Sequence, residues 1–397
     1  MGKSSKEDLR EEVNERFFKR KQSKRHIIRE LGVSWNFVIA WTKSPDQDFS
    51  IDKRGWPEGK SRFHPTDVRD RIVAIRQELV DDPNEFYVGD LAIQQRYEEL
   101  YPNDPIPGVD YINKILREAN LSNPHKKKRR GVAKYLCYPA MCIERLGERI
   151  ADIDFVGQKY LSGHSKPLHF LSVAYRKPPR LRSITRTEGE TTAEAIEVTE
   201  RTFNELGWPD VGRIDNGFPF AGGSGYAGRA VRYISRYAAY LISNEVIPVF
   251  GAPRHSWHQS TGEGTNSVFG RNFWDQQKFK TMAEVDERLA AFNRCSKKYA
   301  KWKPWIREKK GASFIPRVCF IRKVEEDAQG KNGQISITGQ SIILPVAHTG
   351  LFVFTEWHLR EGLLKIYFER EAEIQQIEAI KFPINPRSRK RCSHFII

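Results

Sequence analysis

Between residues 149 and 250 the chain alternates apolar strand-like runs with amphipathic helix-like runs, in an order that leaves few folds open. RIADIDFVG, PLHFLSVAYR and LRSITRTE read as three successive strands, the last alternating at Leu181, Ser183 and Thr185. TTAEAIEVTERTFNELG then reads as a helix. Thr191 or Thr192 caps it, Ala195, Ile196, Val198 and Phe203 face inward, and Gly207 ends it before Trp208-Pro209. VGRID is a fourth strand, YAGRAVRYISRYAAYLIS a second helix and NEVIPVFGAP a fifth strand, and a long helix, broken or continuous, spans roughly 261–300. Three meander strands followed by helix, strand, helix and strand describe a mixed α/β layer.

Chemistry gathers at the strand ends of that layer. Val211 to Ile214 deliver Asp215 to the end of the fourth strand, and Asn216-Gly217 turns the chain. Asp154 stands near the end of the first strand. Asp152 shares its face, because side chains alternate with period two, and is read as a supporting or surface residue. Glu263 falls in the first turn of the long helix, with Ser260 and Thr261 as capping candidates. A lone Asp-Asn-Gly is more simply a turn former. Three acidic residues in this order, on this pattern of elements, point to a shared site. Asp154, Asp215 and Glu263 are therefore expected to hold two Mg²⁺ ions about 3.5–4 Å apart, with Mn²⁺ as a substitute. One ion would activate an attacking hydroxyl and the other would stabilise a leaving 3′ oxygen.

Lys and Arg number 66 against 50 Asp and Glu, a net charge of +16. Such a field favours polyanions. The charge is also clustered: KKKRR at 126–130, five basic residues at 176–186 and RSRKR at 387–391. The five cysteines form no CxxC pair and read as reduced thiols; the histidines around 255–258 have no cysteine nearby to complete a zinc site. No apolar run is long enough to cross a bilayer, and MGKSSKEDLREE lacks the apolar core of a secretory leader. The expectation is a cytoplasmic, nucleoid-associated protein of a prokaryotic cell with no membrane partner.

Ahead of the layer lie two helical units. In residues 1–48, Ile27, Ile28 and Leu31 precede a Gly32-Val33-Ser34 turn, and Phe37, Val38 and Trp41 continue at helical spacing. The layout is that of a helix-turn-helix, with an ordinary helical hairpin as the alternative. Ser34, Trp35, Asn36 and Lys43 would face DNA. Residues 46–66, rich in Asp, Gly and Pro, read as a linker. A second such unit is expected over 62–122. There Val68, Ile72, Ile75, Leu79, Val109, Ile112, Ile115 and Leu116 point inward, and Tyr111, Asn113 and Lys114 outward. A basic connector over 123–145 presents Lys126, Lys127, Lys128, Arg129 and Arg130 to a phosphate backbone. The central core is placed at 146–305. Beyond it RVCFIRK, GQISITG, QSIILPV, LFVFTEWH and LLKIYFE predict a small β-barrel over 315–385, followed by a basic tail at 386–397.

DFVG at 154–157, PLHFLSVAYR, TTAEAIEVTERTFNELGWPD, RIDNGFPF and QSTGEGTNSVFGRNFW together resemble the catalytic core of integrase-type DDE transposases, the superfamily of retroviral integrases and insertion-sequence transposases. The resemblance implies a ribonuclease-H-like core between tandem helix-turn-helix units and a C-terminal barrel. It further implies metal ligation by Asp154, Asp215 and Glu263, donor-strand cleavage by water, and attack of the freed 3′ hydroxyl on target DNA. The implied partners are double-stranded DNA at element ends and target, further copies of the chain, and an ATPase helper. Two departures are visible. Glu263 stands 48 positions beyond Asp215 (215 to 263), a wide spacing to which AGGSGYAGR contributes, and Gln259-Ser260 replaces the family's Asn-Gly. Glu245 is a poorer third carboxylate because it opens a strand. A non-catalytic DNA-binding regulator descended from a transposase is the alternative, and a plain nuclease of the same fold a third reading.

Overall fold

The computed structural model describes residues 5–49, 66–122, 138–178, 180–222, 232–253, 260–370 and 373–389. The basic run Lys126, Lys127, Lys128, Arg129 and Arg130, the Arg254–His258 stretch and most of the Gly-rich insertion lie outside them. The chain forms two compact units, 1–66 and 67–397.

In the first unit, α1 (Ser5–Phe18), α2 (Lys24–Leu31) and α3 (Trp35–Trp41) enclose a small core of Val13, Ile27, Val38 and Trp41. The α2–α3 turn follows its sequence closely. Gly32 takes φ +63°, a left-handed conformation that costs glycine nothing, and the Ser34 hydroxyl accepts the Phe37 N–H as N-cap. Asn14 locks the far end by donating to the carbonyls of Trp41 and Ser44.

The second unit opens with α4 (Thr66–Asp81), α5 (Asp90–Leu100) and α6 (Val109–Glu118). Val68, Ile72, Ile75 and Leu79 are buried as their spacing predicts, as are Ile112, Ile115 and Leu116. A short α7 (Ala140–Glu144) leads to β1 (Ile150–Tyr160), β2 (Pro167–Tyr175), β3 (Arg182–Thr187), α8 (Thr192–Leu206), β4 (Val211–Ile214), α9 (Phe218–Ala221), α10 (Arg236–Ser243) and β5 (Ile247–Phe250). The long helix expected over 261–300 is broken. α11 (Ser260–Phe269) passes through a π-helical turn at Gly270–Trp274, and α12 (Met282–Tyr299) follows.

β1, β2 and β3 pair antiparallel, while β4 and β5 run parallel to β1, giving the order β3-β2-β1-β4-β5. Period-two alternation splits this sheet into two cores. Ile153, Leu171 and Val173 pack with α8 and α10 on one face. Val156, Phe170 and Ile184 pack on the other with Phe269, Phe273 and Phe292 of the α11–α12 side, and α4–α6 join that second core.

The C-terminal strands differ from expectation. β6 (Arg317–Lys323) continues the sheet by pairing parallel with β5 at Val249–Cys319 and Phe250–Phe320. β7 (Glu325–Glu326), β8 (Gly333–Ile337) and β9 (Gln340–Leu344) form a separate three-stranded sheet. β10 (Phe352–His358), β11 (Leu363–Arg370) and β12 (Glu373–Lys381) extend the main sheet to nine strands, and a short α13 (Pro386–Arg389) closes the described chain. The pairing is thus an open sheet carried on from the core, where a closed barrel over 315–385 was expected. The burial explains why: every residue of β10 is buried, as in a strand covered on both faces, where a small barrel needs one face inward and one outward. Among the described residues no helix is long and apolar enough to cross a membrane.

Candidate active site at the ends of two parallel strands

Register brings the two aspartates together. β1 and β4 pair from Ile150–Val211 to Ile153–Ile214, so Asp154 and Asp215 are the next residues, level on neighbouring strands. Adjacent strands lie roughly 4.8 Å apart, so two carboxylates there repel unless a proton or a cation is held between them. Burial first, and the neighbouring Asp215 second, push the Asp154 carboxyl up to about 7. Burial also raises Asp215, against the Gly217 N–H that donates to its Oδ1 at 2.9 Å and with help from Glu190. That donation makes a tight Asx turn, and a Cβ at position 217 would stand 2.9 Å from the same oxygen, so any larger residue there would have to displace the Asp215 carboxylate.

α11 is laid over this edge. Asp152, on the same face as Asp154, accepts the Gly262 N–H at 3.3 Å and pairs at 3.4 Å with Arg213, its register partner on β4. Both are buried to 1 % exposure. Asp152 is therefore neither a surface residue nor a spare ligand: it fastens β1, β4 and the first turn of α11. One turn later the Asn266 amide donates to Asp154 at 3.2 Å, while its buried Oδ1 has no partner among the described residues. Glu263 sits between these two anchors in sequence, but on the flank of the helix, with its side chain exposed. Among the described residues no group of three His, Cys, Asp or Glu side chains comes close enough to hold a metal. The structure thus brings Asp154 and Asp215 together and leaves Glu263 nearby but outside the pair. Glu245 is remote in role: it takes φ +57° and its carboxylate caps the N–H groups of Lys310 and Gly311.

The donor set suits a hard divalent ion. Two oxygen ligands are held at unfavourable proximity in a partly dry edge, and a cation would relieve the repulsion that raises Asp154. Asn266 was not anticipated, although it follows Gly262 by four residues and so shares its helix face. Beyond the pair, Asn216 donates to the Gly251 carbonyl at 2.7 Å and accepts from Arg322 at 3.2 Å, and Phe218 is 67 % exposed beside the site.

The other expected DNA-facing residues divide. Ser34, Trp35, Asn36 and Lys43 are exposed, although the Ser34 hydroxyl is occupied as a cap. Tyr111 is half-buried against the second core, Asn113 donates to Asp90 at 2.6 Å, and Lys114 is exposed with Glu118 at 3.8 Å. Tyr111 and Asn113 are thus engaged within the helical unit, not free on its outer face, because α6 turns that side toward α5.

No protein-family model matches the chain, and no curated protein is significantly similar to it. Solved structures similar to it include the HTLV-2 integrase catalytic core domain in complex with magnesium, dimeric form, at 14 % identity and TM-score 0.27, covering 37 % of this chain and 88 % of that one. Another is the simian T-cell lymphotropic virus intasome in complex with PP2A regulatory subunit B56 gamma, at 14 % identity and TM-score 0.32, covering 75 % of this chain and 96 % of that one. A likeness this distant leaves the functional reading to the residues themselves.

Proposed function

We propose that the chain is a DNA transposase that binds element ends, cleaves the donor strand and joins the freed 3′ hydroxyl to target DNA. The carrying observation is the level placement of Asp154 and Asp215 on neighbouring parallel strands, with α11 pinned across them. Asp154 and Asp215 would hold Mg²⁺, with the exposed Glu263 on the first turn of α11 as the candidate third carboxylate. The bound ions would supply activation of the attacking oxygen and stabilisation of the leaving one. The chain's own part is to fix the carboxylates: Gly217 orients Asp215, Asn266 orients Asp154, and Asp152–Arg213 sets where α11 begins. The order β3-β2-β1-β4-β5, three antiparallel strands then two parallel ones, supports a ribonuclease-H-like core. The net charge of +16 and the exposed Phe218, an aromatic face on which a base could stack, support a DNA substrate. Residues 1–48 and 62–122 are the proposed end-binding units, and further copies of the chain the proposed partners.

The test uses full-length protein, a pool of labelled duplex ends and a supercoiled plasmid target in Mg²⁺ or Mn²⁺. Joined products that disappear in Asp215→Asn support the transposase. Hydrolysis without joining favours a nuclease, and DNA binding with neither favours a regulator.

A further inference from the structure

A cavity of about 460 Å³ opens beside the turn that carries Asp215, between the ends of β4 and β5 and the three-stranded sheet. Its wall includes Asn216, Arg322, Lys323 and Thr338. Arg322 is unusual for a guanidinium in such a place. Its partners are all neutral oxygens: Nε donates to the Ser336 carbonyl at 3.0 Å, Nη1 to the carbonyls of Gly251 (3.0 Å) and Ile321 (2.8 Å), and Nη2 to Asn216 Oδ1 at 3.2 Å. Four of the five N–H groups are satisfied, and among the described residues no carboxylate pairs with the charge. Burial pulls this guanidinium down to about 10, as expected of a cation without a counter-charge. The N–H left over is on Nη2, the nitrogen that also holds Asn216, the residue next to Asp215.

A second observation comes from Thr338, two residues beyond the Ser336 that Arg322 contacts. The Thr338 Oγ1 is buried and has no hydrogen-bond partner among the described residues. A buried hydroxyl without a partner costs free energy, so a ligand oxygen is the natural complement. Lys323 adds a second positive charge, and Glu325, exposed at the rim, offsets only one of the two. A guanidinium fork with a spare N–H, a hydroxyl without a partner and an ammonium offer three hydrogen-bond donors, two of them cationic. That chemistry fits a tetrahedral oxyanion.

We propose that this cavity is a phosphate site, held by Arg322, Thr338 and Lys323, that takes a backbone phosphate of the DNA strand lying in the carboxylate site. The proposal rests on the transposase reading for the identity of the polymer, but its test does not need chemistry to occur. Arg322 holds the strand through charge. It does so from the nitrogen that also positions Asn216, so phosphate binding and the geometry of the Asp215 turn are coupled.

Two measurements on the full chain test it. Fluorescence anisotropy with a 30-base-pair duplex, titrated across NaCl concentrations, reads the number of phosphates neutralised as a slope of log affinity against log salt. Arg322→Met should lower that slope by about 0.9, one phosphate, and Arg322→Lys should keep it. Thr338→Val, which leaves the Arg322 scaffold in place, should weaken DNA binding without changing the slope, and it covers the case in which Arg322→Met does not fold. Separately, inorganic phosphate should raise the melting temperature of the wild type above that in chloride at equal ionic strength, and should not do so for Arg322→Met or Thr338→Val. Unchanged DNA affinity and slope in folded Arg322→Met and in Thr338→Val overturn the DNA assignment, even if free phosphate still stabilises the protein. No response in either measurement removes the site altogether. A changed slope in a protein that neither cuts nor joins DNA keeps the phosphate site while the transposase reading falls.

Discussion

Asp154 is held against its own ionisation. Its carboxyl rises from an ordinary value near 4 to about 7, through burial and then through Asp215. For an acid raised in the folded state, the stability linked to the protonated form is present at low pH and is lost as pH climbs through about 7. Metal-free protein should therefore lose stability between pH 4 and 7 through this group, and Asp154→Asn should escape that loss. At pH 8 the variant should be more stable than wild type by about 2 kcal/mol, since a tenfold change in a carboxyl's proton affinity is worth about 1.4 kcal/mol and the Asp215 repulsion is shared between two groups. Chemical denaturation in EDTA at pH 5 and pH 8 measures it, and a variant less stable at both pH values would show that Asp154 serves the fold instead of a cation. The same proton competes with metal. Below pH 7 the affinity of the wild type for Mn²⁺, followed by calorimetry, should fall by up to about tenfold for each step of one in pH, and above it should level off. An affinity independent of pH from 5 to 8 would contradict a metal at Asp154.

At the scale of elements the site depends on one buried ion pair. Asp152 and Arg213 face each other across β1 and β4, and Asp152 also receives the first turn of α11 through Gly262. Removing one charge leaves the other buried and uncompensated, so Asp152→Asn should destabilise the protein by about 3 kcal/mol in urea. It should also weaken metal binding more than Asn266→Ala does, because it frees the start of the helix on which Asn266 rides. A cost below about 1 kcal/mol would mean that the pair is not what fixes α11. How far these elements could be read beforehand follows from what alternation records. β1 to β5, α8 with its Thr191 cap and the broken helix over 260–299 were legible because period and caps are local properties. Asp215 beside Asp154 was legible from strand ends alone. Glu263 was placed on the right helix, yet which flank it occupies depends on the Gly262–Asp152 hydrogen bond, a contact 110 residues apart in sequence. β12 escaped notice for a different reason. Its Ile374, Ile377 and Ile380 recur every three residues, a helix-like spacing, and the strand keeps its pairing only through a register shift opposite Ile366 and Tyr367.

For the whole molecule, the unexpected continuity of the sheet changes what the C-terminal strands are for. β6 joins β5 through two residue pairs, and Phe250 and Phe320 stack across that junction at 5.2 Å with their rings 14° apart. The apolar core on the α8–α10 face runs on without a break through Val249, Phe250, Val318, Phe320, Phe354 and Trp357. Nearby, Glu356 is gripped by Arg145, Arg317 and His358, which outweigh its burial and hold it at about 2, so α7 is tied to β10 as well. A separate barrel could be removed with little effect on the β1–β5 layer. A continued sheet cannot: ending the chain at residue 315 would turn β5 into an exposed edge and open the core beside it. The truncated protein, 1–315, should therefore be insoluble or should lose its cooperative thermal transition. Residues 1–66, with a core of their own in Val13, Ile27, Val38 and Trp41, should be removable while residues 67–397 keep theirs. Circular dichroism melting of the two deletions decides the matter. A soluble 1–315 that melts cooperatively would restore an independent C-terminal domain.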